Sequence, residues 1–420
     1  MLPLAFKQRP DSAVPVRFFV LGLLGFLALC VGVLLLPAAF TVPPGPHGVF
    51  LLHLAVLGWI TPVMIGADYQ LLPVVLHRSL VAPAWAAPIF GVYTAGVAVF
   101  LSGWAFGHVA WIALGGTAAG IALMGFCVHA ALTLRRLREA SATALGLAGG
   151  LAFLAVVAVL GPWMALAVGG DAPAPVETLL PLHAAAGLGG WLLLTIIGAS
   201  YQLAPFFAAT EPSVRARWSL PAVALVGAGV LLLLASVALP APAAAVGAGL
   251  ALAGVTLWAW DIARLARHGR QARREPVTLY TLLAVAALWL AVAGAVAALA
   301  GVSRAAAPAA YLGLVAGPSL LILGQLQKIL PFIAALDVSQ AAKRRGQVPK
   351  TEALFPRRRA FLILCGLAPG TMAVTVGLGV GSAVVVRGGA ALVLLAAVAF
   401  VAQETRALAA WRRARTPEPG

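Results

Sequence analysis

The segment Gly66-Ala-Asp-Tyr-Gln-Leu-Leu-Pro73 has two partial copies further along the chain, Gly198-Ala-Ser-Tyr-Gln-Leu-Ala-Pro205 and Gly324-Gln-Leu-Gln-Lys-Ile-Leu-Pro331. The three glycines lie 132 and 126 residues apart, and Trp59 and Trp191 each precede their glycine by seven residues. Each interval holds four long apolar runs. This internal period predicts three four-helix units, at about 16–139, 142–274 and 277–415, in parallel orientation because four is even. Within a unit, the glycine lets a neighbouring helix approach closely and the proline ends or kinks the helix.

The composition excludes a soluble globular domain. The chain has 420 residues, of which 62% are hydrophobic and 10% charged, and its mean hydropathy is +1.01. A bilayer core of about 30 Å needs roughly 20 apolar residues in a helix. We therefore expect an all-α polytopic membrane protein in which one transmembrane domain covers 1–420. The twelve apolar runs are 16–40, 47–76, 81–106, 108–134, 142–168, 179–208, 218–239, 243–265, 277–300, 309–336, 360–380 and 388–408, and the least distinct turn, 381–388, separates the last two.

The charge of the chain is strongly basic, with a formal net value of +16. The basic residues occupy short gaps between apolar runs, which argues against a nucleic-acid partner because that would need a folded basic surface. If the segment with Lys7, Arg9 and Arg17 is cytoplasmic, 25 of the 28 Lys and Arg residues fall on that side. The positive-inside rule then places both termini in the cytoplasm. We expect the protein to lie in a bacterial-type inner membrane. Membrane lipids are the expected surroundings.

Four histidines lie toward the predicted outer ends of the runs: His47, His53, His108 and His183. Imidazole is the commonest metal ligand, so these residues are candidates for binding copper or heme, with His53 and His183 as the favoured pair. Hydrogen-bonded histidines at helix ends remain the alternative. His47 and His53 are six residues apart, about 240° around a helix, so they do not share a face. His77, His129 and His268, at the other ends, are expected to be solvated or to lie among lipid headgroups.

A second polar layer follows from the repeat. Its candidate residues are Asp68, Tyr69, Gln70, Tyr201, Gln202, Gln327 and Lys328. Ionisable groups at membrane depth are costly, so we expect either an ion pair between Asp68 and Lys328 or a path for protons or ions. Asp68 follows His53 by fifteen residues, about 22 Å along a helix, so the two layers are separate sites.

Twelve spans in three units, with His53 near the outer end of the second span and an ending from Gly66 to Pro73, resemble subunit I of the heme-copper oxidases. The first unit is more similar still to NnrS-type heme- and copper-containing membrane proteins, whose corresponding helix has a histidine, a Gly-aromatic pair, a glycine and a proline in this order, here His53, Gly58-Trp59, Gly66 and Pro73. The resemblance implies three arcs of helices around a pseudo-threefold axis, with redox centres in the outer part of the membrane. It also implies histidines in the seventh and tenth spans, and this chain has none there. A complete oxygen-reducing binuclear centre is therefore not expected, and the assignment as an oxidoreductase stays open.

Three functions remain open from the sequence. The first is a divergent heme-copper-type protein that binds heme or copper near the outer face, linked to respiration or nitric-oxide metabolism, with a respiratory subunit or electron donor as partner. The second is a transporter or proton-conducting protein that uses the layer of Asp68 and Lys328. The third is an assembly subunit that has kept the fold and binds no cofactor.

Overall fold

The described part of the chain is entirely helical. A computed structural model describes residues 11–40, 45–76, 79–135, 140–170, 172–208, 216–240, 242–269, 275–344 and 351–416, and no β-strand occurs among them. Lys7, Arg9, His77 and the predicted unit limits at 139 and 274 lie outside these ranges. We number the helices α1 (Ala13–Leu35), α2 (Pro46–Leu76), α3 (Ala86–Phe106), α4 (Val109–Leu134), α5 (Ala142–Gly169), α6 (Val176–Ala208), α7 (Ser219–Ala235), α8 (Pro242–His268), α9 (Pro276–Leu299), α10 (Ser303–Arg344), α11 (Arg357–Val380) and α12 (Ala383–Arg415).

The helices confirm the prediction of a polytopic membrane protein. Within the described ranges, eleven of them are long and apolar enough to cross a bilayer, and α7, with 17 residues, is the shorter apolar one. Each predicted run contains one helix. The turn between α11 and α12 is shorter than predicted, because Gly381 adopts a left-handed conformation (φ 71°) that reverses the chain within two residues. Arg387 consequently lies within α12.

Three helices, α2, α6 and α10, contain a π-helical segment. These segments span Leu54–Ile60, Ala185–Leu194 and Leu312–Ala316, and they begin 12, 13 and 12 residues before Gly66, Gly198 and Gly324. π-Helical turns are rare and often occur at functional sites. Their similar position relative to the three glycines directs attention to the side chains beside them.

The repeated glycines allow close helix packing. A Cβ added at Gly66 would lie 2.8 Å from Phe19 of α1, one at Gly198 would lie 2.9 Å from the Cα of Gly146 on α5, and one at Gly324 would lie 2.5 Å from the Cβ of Tyr280 on α9. Each glycine therefore admits the helix that precedes its own in the chain, as the sequence predicts.

The order of neighbouring helices also recurs. Helix α1 packs on α2, α5 on α6 and α9 on α10, while α3 packs on α4, α7 on α8 and α11 on α12. The junctions between the predicted units are α4 with α5, α8 with α9 and, between the last unit and the first, α12 with α1. The two ends of the described chain are joined there, because Ser12 donates a hydrogen bond to Asp337 (2.6 Å) and accepts one from the Trp411 indole (3.0 Å).

Hydrogen bonds between buried side chains connect α2, α6 and α10. The Trp191 indole of α6 donates to Thr61 of α2 (3.1 Å), and the Trp59 indole of α2 donates to Ser319 of α10 (2.9 Å). Each tryptophan lies seven residues before its repeated glycine, and each hydroxyl lies five before. In the third equivalent pair, Gly317 stands at the tryptophan position of α10 and Leu193 at the hydroxyl position of α6, and neither has a polar side chain. Two of three equivalent hydrogen bonds are thus present between these helices.

We expect Gly25→Ala to destabilise the protein, because a Cβ at Gly25 would overlap the carbonyl group of Gly58 where α1 crosses α2. Such overpacking costs about 1–3 kcal/mol. The matched control is Gly249→Ala on α8, where nothing lies within 4 Å of the added methyl group. Thermal unfolding of the detergent-solubilised protein should show a lower Tm for the first variant alone. Equal Tm values for the two variants would contradict the close contact between α1 and α2.

Candidate functional site

The structure brings together the two histidines that the sequence favours. His53 is the last residue before the π-helical segment of α2, and His183 lies two residues before that of α6. Their ring centroids are 6.4 Å apart and the ring planes are inclined by 34°. Both side chains are partly buried. Two imidazoles from helices far apart in sequence therefore face a common region, which we call the histidine pair.

Hydrogen bonding fixes the tautomer of His53. Its Nδ1 lies 2.9 Å from the carbonyl oxygen of Val49, and since a carbonyl only accepts, Nδ1 carries the proton. Phe100 packs edge-to-face on the ring, with centroids 5.0 Å apart. In this tautomer Nε2 of His53 carries no proton, so its lone pair can bind a metal ion. This is the arrangement that metal-binding histidines commonly show, in which one nitrogen donates to the protein and the other binds the ion.

His183 packs against a glycine of α5. A Cβ added at Gly161 would lie 3.3 Å from the Cε1 atom of His183, so a residue larger than glycine at position 161 would crowd the imidazole ring. Its Nδ1 is buried and has no hydrogen-bond partner among the described residues. A buried nitrogen without a partner is unfavourable, and a metal ion or a bound water would satisfy it. The histidine pair can thus supply two nitrogen ligands.

The other two candidate histidines lie apart from this pair. His47 is exposed at the start of α2, and His108 is exposed before α4, where it packs on Trp111. Within the described ranges, no group of three or more His, Cys, Asp or Glu residues could hold a metal. In α10, Tyr311 occupies the place that His53 has in α2, thirteen residues before the repeated glycine, and it packs on Phe40.

The predicted ion pair between Asp68 and Lys328 is wrong. Lys328 instead forms an ion pair with Glu275, at the start of α9, and Arg357 contacts the other oxygen of that carboxylate at 2.6 Å. The reason lies in the register of the repeat. Asp68 is equivalent to Leu326, and Lys328 lies two residues later, about 200° around α10, so it points away from Asp68. Glu275 is a residue that the sequence interpretation did not single out.

Asp68 lies on a central cavity between α2, α6 and α10, with a volume of about 70 Å³. Its walls come from equivalent positions of the three helices, namely Val63, Thr195 and Leu321; Met64, Ile196 and Ile322; Ala67, Ala199 and Gln325; and Asp68, Ser200 and Leu326. Three buried oxygens of lining residues, Asp68 Oδ2, Thr195 Oγ1 and Gln325 Oε1, have no hydrogen-bond partner in the described part of the chain. The central cavity is therefore the second candidate site.

The two repeated tyrosines point elsewhere. The Tyr69 hydroxyl lies 3.1 Å from Nδ1 of His129 on α4, and the Tyr201 hydroxyl donates to Asp261 on α8 at 3.5 Å. The predicted solvation of His129 is wrong, because this residue is fully buried and its Nε2 donates to the carbonyl of Val81 (2.6 Å). His268, by contrast, is exposed as predicted. The equal separation of 60 residues in both pairs is the sequence signal that would have identified His129 and Asp261.

The remaining residues of the predicted layer do not form a common site. Gln70 and Gln202 are partly buried beside the tyrosines, whereas Gln327 is buried and lies with Lys328 and Gln403 along a small cleft near α11. The predicted layer thus divides into the central cavity, two tyrosine contacts and the Glu275 ion-pair cluster.

Comparison of the chain with protein-family models and with curated proteins gives no match. The function must therefore be argued from the histidine pair and the central cavity themselves.

The ion pairs of Glu275 lead to a prediction about stability. Glu275→Gln should destabilise the protein by about 3 kcal/mol, because it leaves the largely buried Lys328 without its carboxylate and also removes the contact to the exposed Arg357. Asp68→Asn is the matched control: it also replaces a buried carboxyl group by an amide, but Asp68 forms no ion pair with any described residue. Thermal unfolding in detergent checks both variants. A larger loss for Asp68→Asn would contradict the assignment of Lys328 to Glu275.

Proposed function

We propose that the protein is a divergent membrane protein of the heme-copper type that binds a copper ion between His53 and His183. The observation that carries this proposal is the 6.4 Å separation of the two rings. Metal–imidazole bonds are about 2.0–2.1 Å long, so two rings that share an ion must lie close together, as these do. The available Nε2 of His53 and the unpartnered Nδ1 of His183 add to the argument.

The surroundings of the rings favour an ion over a heme. Phe100 packs on His53, and α5 approaches His183 at Gly161, so the protein already occupies part of the space beside each ring. A copper ion needs only the gap between the imidazoles, whereas a heme needs a broad flat slot. Imidazole nitrogen suits copper well. Solvent or a substrate would complete the coordination, since no third His, Cys, Asp or Glu joins the group in the described ranges.

The proposed relationship to the heme-copper superfamily rests on helix positions that recur along the chain. The π-helical segments of α2, α6 and α10 occupy the same place relative to the repeated glycines, and the histidine pair lies directly beside two of them. Tyr311 replaces a histidine in α10, and no histidine occurs in α7, so the proposal does not include an oxygen-reducing binuclear centre.

Copper, when bound, would supply a one-electron redox couple or a site for a gas ligand such as nitric oxide. The chain's own contribution is positional. The bond from His53 to the Val49 carbonyl holds the imidazole ring in one tautomer, and Phe100 covers one edge of that ring. We place the protein in a bacterial-type inner membrane, with lipid against its apolar outer faces and its termini in the cytoplasm, and an electron donor as its partner.

The test is a metal analysis of the purified protein. After expression with copper and heme supplied, we expect about one copper per chain, and about a tenfold or larger loss of affinity in His53→Ala and His183→Ala. His47→Ala and His108→Ala are the matched controls and should keep the copper, because both residues are exposed and lie apart from the pair.

A reduced-minus-oxidised optical spectrum and a pyridine hemochrome assay on the same samples distinguish the two cofactors. A Soret band in the wild type that disappears in both His53→Ala and His183→Ala would show that the histidine pair binds heme and not copper. Wild-type protein without metal or heme, or copper retained in both variants, would overturn the proposal.

A further inference from the structure

We infer that Asp68 is a proton-binding site inside the central cavity, connected to the Lys328 end of the bundle through Gln325 and Thr281. This site goes beyond the proposed copper site and does not depend on it. The two share no residue, and fifteen residues, about 22 Å at the helical rise, separate His53 from Asp68.

Asp68 has no compensating charge in the described part of the chain. It is 2% exposed, and its Oδ2 has no hydrogen-bond partner there. An isolated carboxylate in a low-dielectric interior is strongly unfavourable unless it is paired or takes up a proton. Lys328, the cation that the sequence suggested as a partner, is bound to Glu275. A proton is the smallest positive charge that can neutralise Asp68.

The described residues of the neighbouring helices that line the cavity include no cation. Helix α1 contributes Phe19 to the cavity, α6 contributes Thr195 and Ser200, and α10 contributes Gln325 with apolar residues. The titratable groups nearby are Tyr69 on the same helix, Cys127 and His129 on α4, and Tyr201 on α6. Each of these four has another partner: Tyr69 and His129 bond to each other, the Cys127 thiol donates to the Leu151 carbonyl, and Tyr201 donates to Asp261.

The central cavity is large enough to hold water. Its volume of about 70 Å³ exceeds the roughly 30 Å³ that one water occupies in the liquid. Gln325, which lines the cavity, has an amide oxygen without a hydrogen-bond partner among the described residues, as Asp68 has a carboxyl oxygen. An organic substrate would need a cavity of several hundred Å³, so water and a proton are the occupants that this space admits.

Gln325 connects the central cavity to one end of the bundle. Gln325 lines the central cavity and also a second, smaller cavity of about 20 Å³, whose walls include Thr278, Thr281 and Phe207 near the ends of α6, α8 and α9. The Gln325 amide donates to the Thr281 hydroxyl (3.3 Å), and Thr278 Oγ1 has no partner among the described residues. Gln325 therefore links two spaces that together lead from this end of the bundle toward Asp68.

The reaction is a simple protonation. An O–H bond forms on the Asp68 carboxylate, and the proton comes from bulk water at the Lys328 end through water beside Thr278, Thr281 and Gln325. Release follows the same route in reverse. No other bond is made or broken, and no oxidant or reductant is needed.

Infrared spectroscopy of the full-length protein in lipid tests this site. We expect the wild type at neutral pH to show the carbonyl stretch of a protonated carboxylic acid that shifts on transfer to deuterated water. Asp68→Asn should remove this band. Glu404→Gln is the matched control, because Glu404 is another deeply buried carboxyl group with an unpartnered oxygen in the described part of the chain, and it does not line the central cavity. Isotope-labelled aspartate identifies the band in wild-type protein without any substitution.

The route is tested by the rate of exchange of the same band. Gln325→Leu should slow hydrogen–deuterium exchange by about tenfold, which corresponds to the loss of one hydrogen bond. Thr375→Ala on α11 should leave the rate unchanged, because the Thr375 hydroxyl donates to the Thr371 carbonyl of its own helix (2.8 Å) and lines neither cavity. Absence of an aspartic acid band, its persistence in Asp68→Asn, or equal exchange rates in Gln325→Leu and wild type would overturn the proposal. Binding of an alkali cation in place of the proton would also overturn it.

Discussion

The bilayer core contains no water, so a polar group buried in a membrane protein must form its hydrogen bonds within the protein. Most of the structure described above follows from this constraint. The Trp59 and Trp191 indoles find hydroxyls on neighbouring helices, His129 lies between Tyr69 and a backbone carbonyl, and Glu275 accepts two cations. These contacts determine which helix faces which. The polar groups that remain without a partner beside the histidine pair and in the central cavity are, by the same reasoning, where a ligand or water is expected.

Both candidate sites depend on how closely α2, α6 and α10 can approach their neighbours. Glycine at the repeated positions admits α1, α5 and α9, and the π-helical segments alter the direction in which the following side chains point. The histidine pair lies at one end of these helices, and the central cavity lies between them further along. A larger side chain at Gly66, Gly198 or Gly324 would push these helices from their neighbours, and so would affect both sites.

The sequence interpretation succeeded where a residue's neighbours were determined by its own helix or by the repeat. The helical spans, the packing at the repeated glycines and the separation of His47 from His53 are of this kind. It failed for Lys328, although the repeat aligned this residue with Gln70 and not with Asp68, because opposite charges were matched without regard to their angle on the helix. It failed for His129 because nearness to a helix end was taken to mean solvation, whereas Trp85 and Tyr69 cover this side chain.

The sequence by itself determined that the chain crosses the membrane many times, that its helices are grouped around repeated glycines, and that His53 and Asp68 belong to separate layers. These features follow from hydrophobic length and helical periodicity, which are local properties. Only the tertiary structure decided that His183 approaches His53, that Glu275 pairs with Lys328, and that Asp68 and Gln325, each with an unpartnered oxygen among the described residues, line one cavity. The spacing of residues gives the angle of a side chain on its own helix. The group it meets depends on the rotation and depth of a second helix, which packing between distant parts of the chain determines.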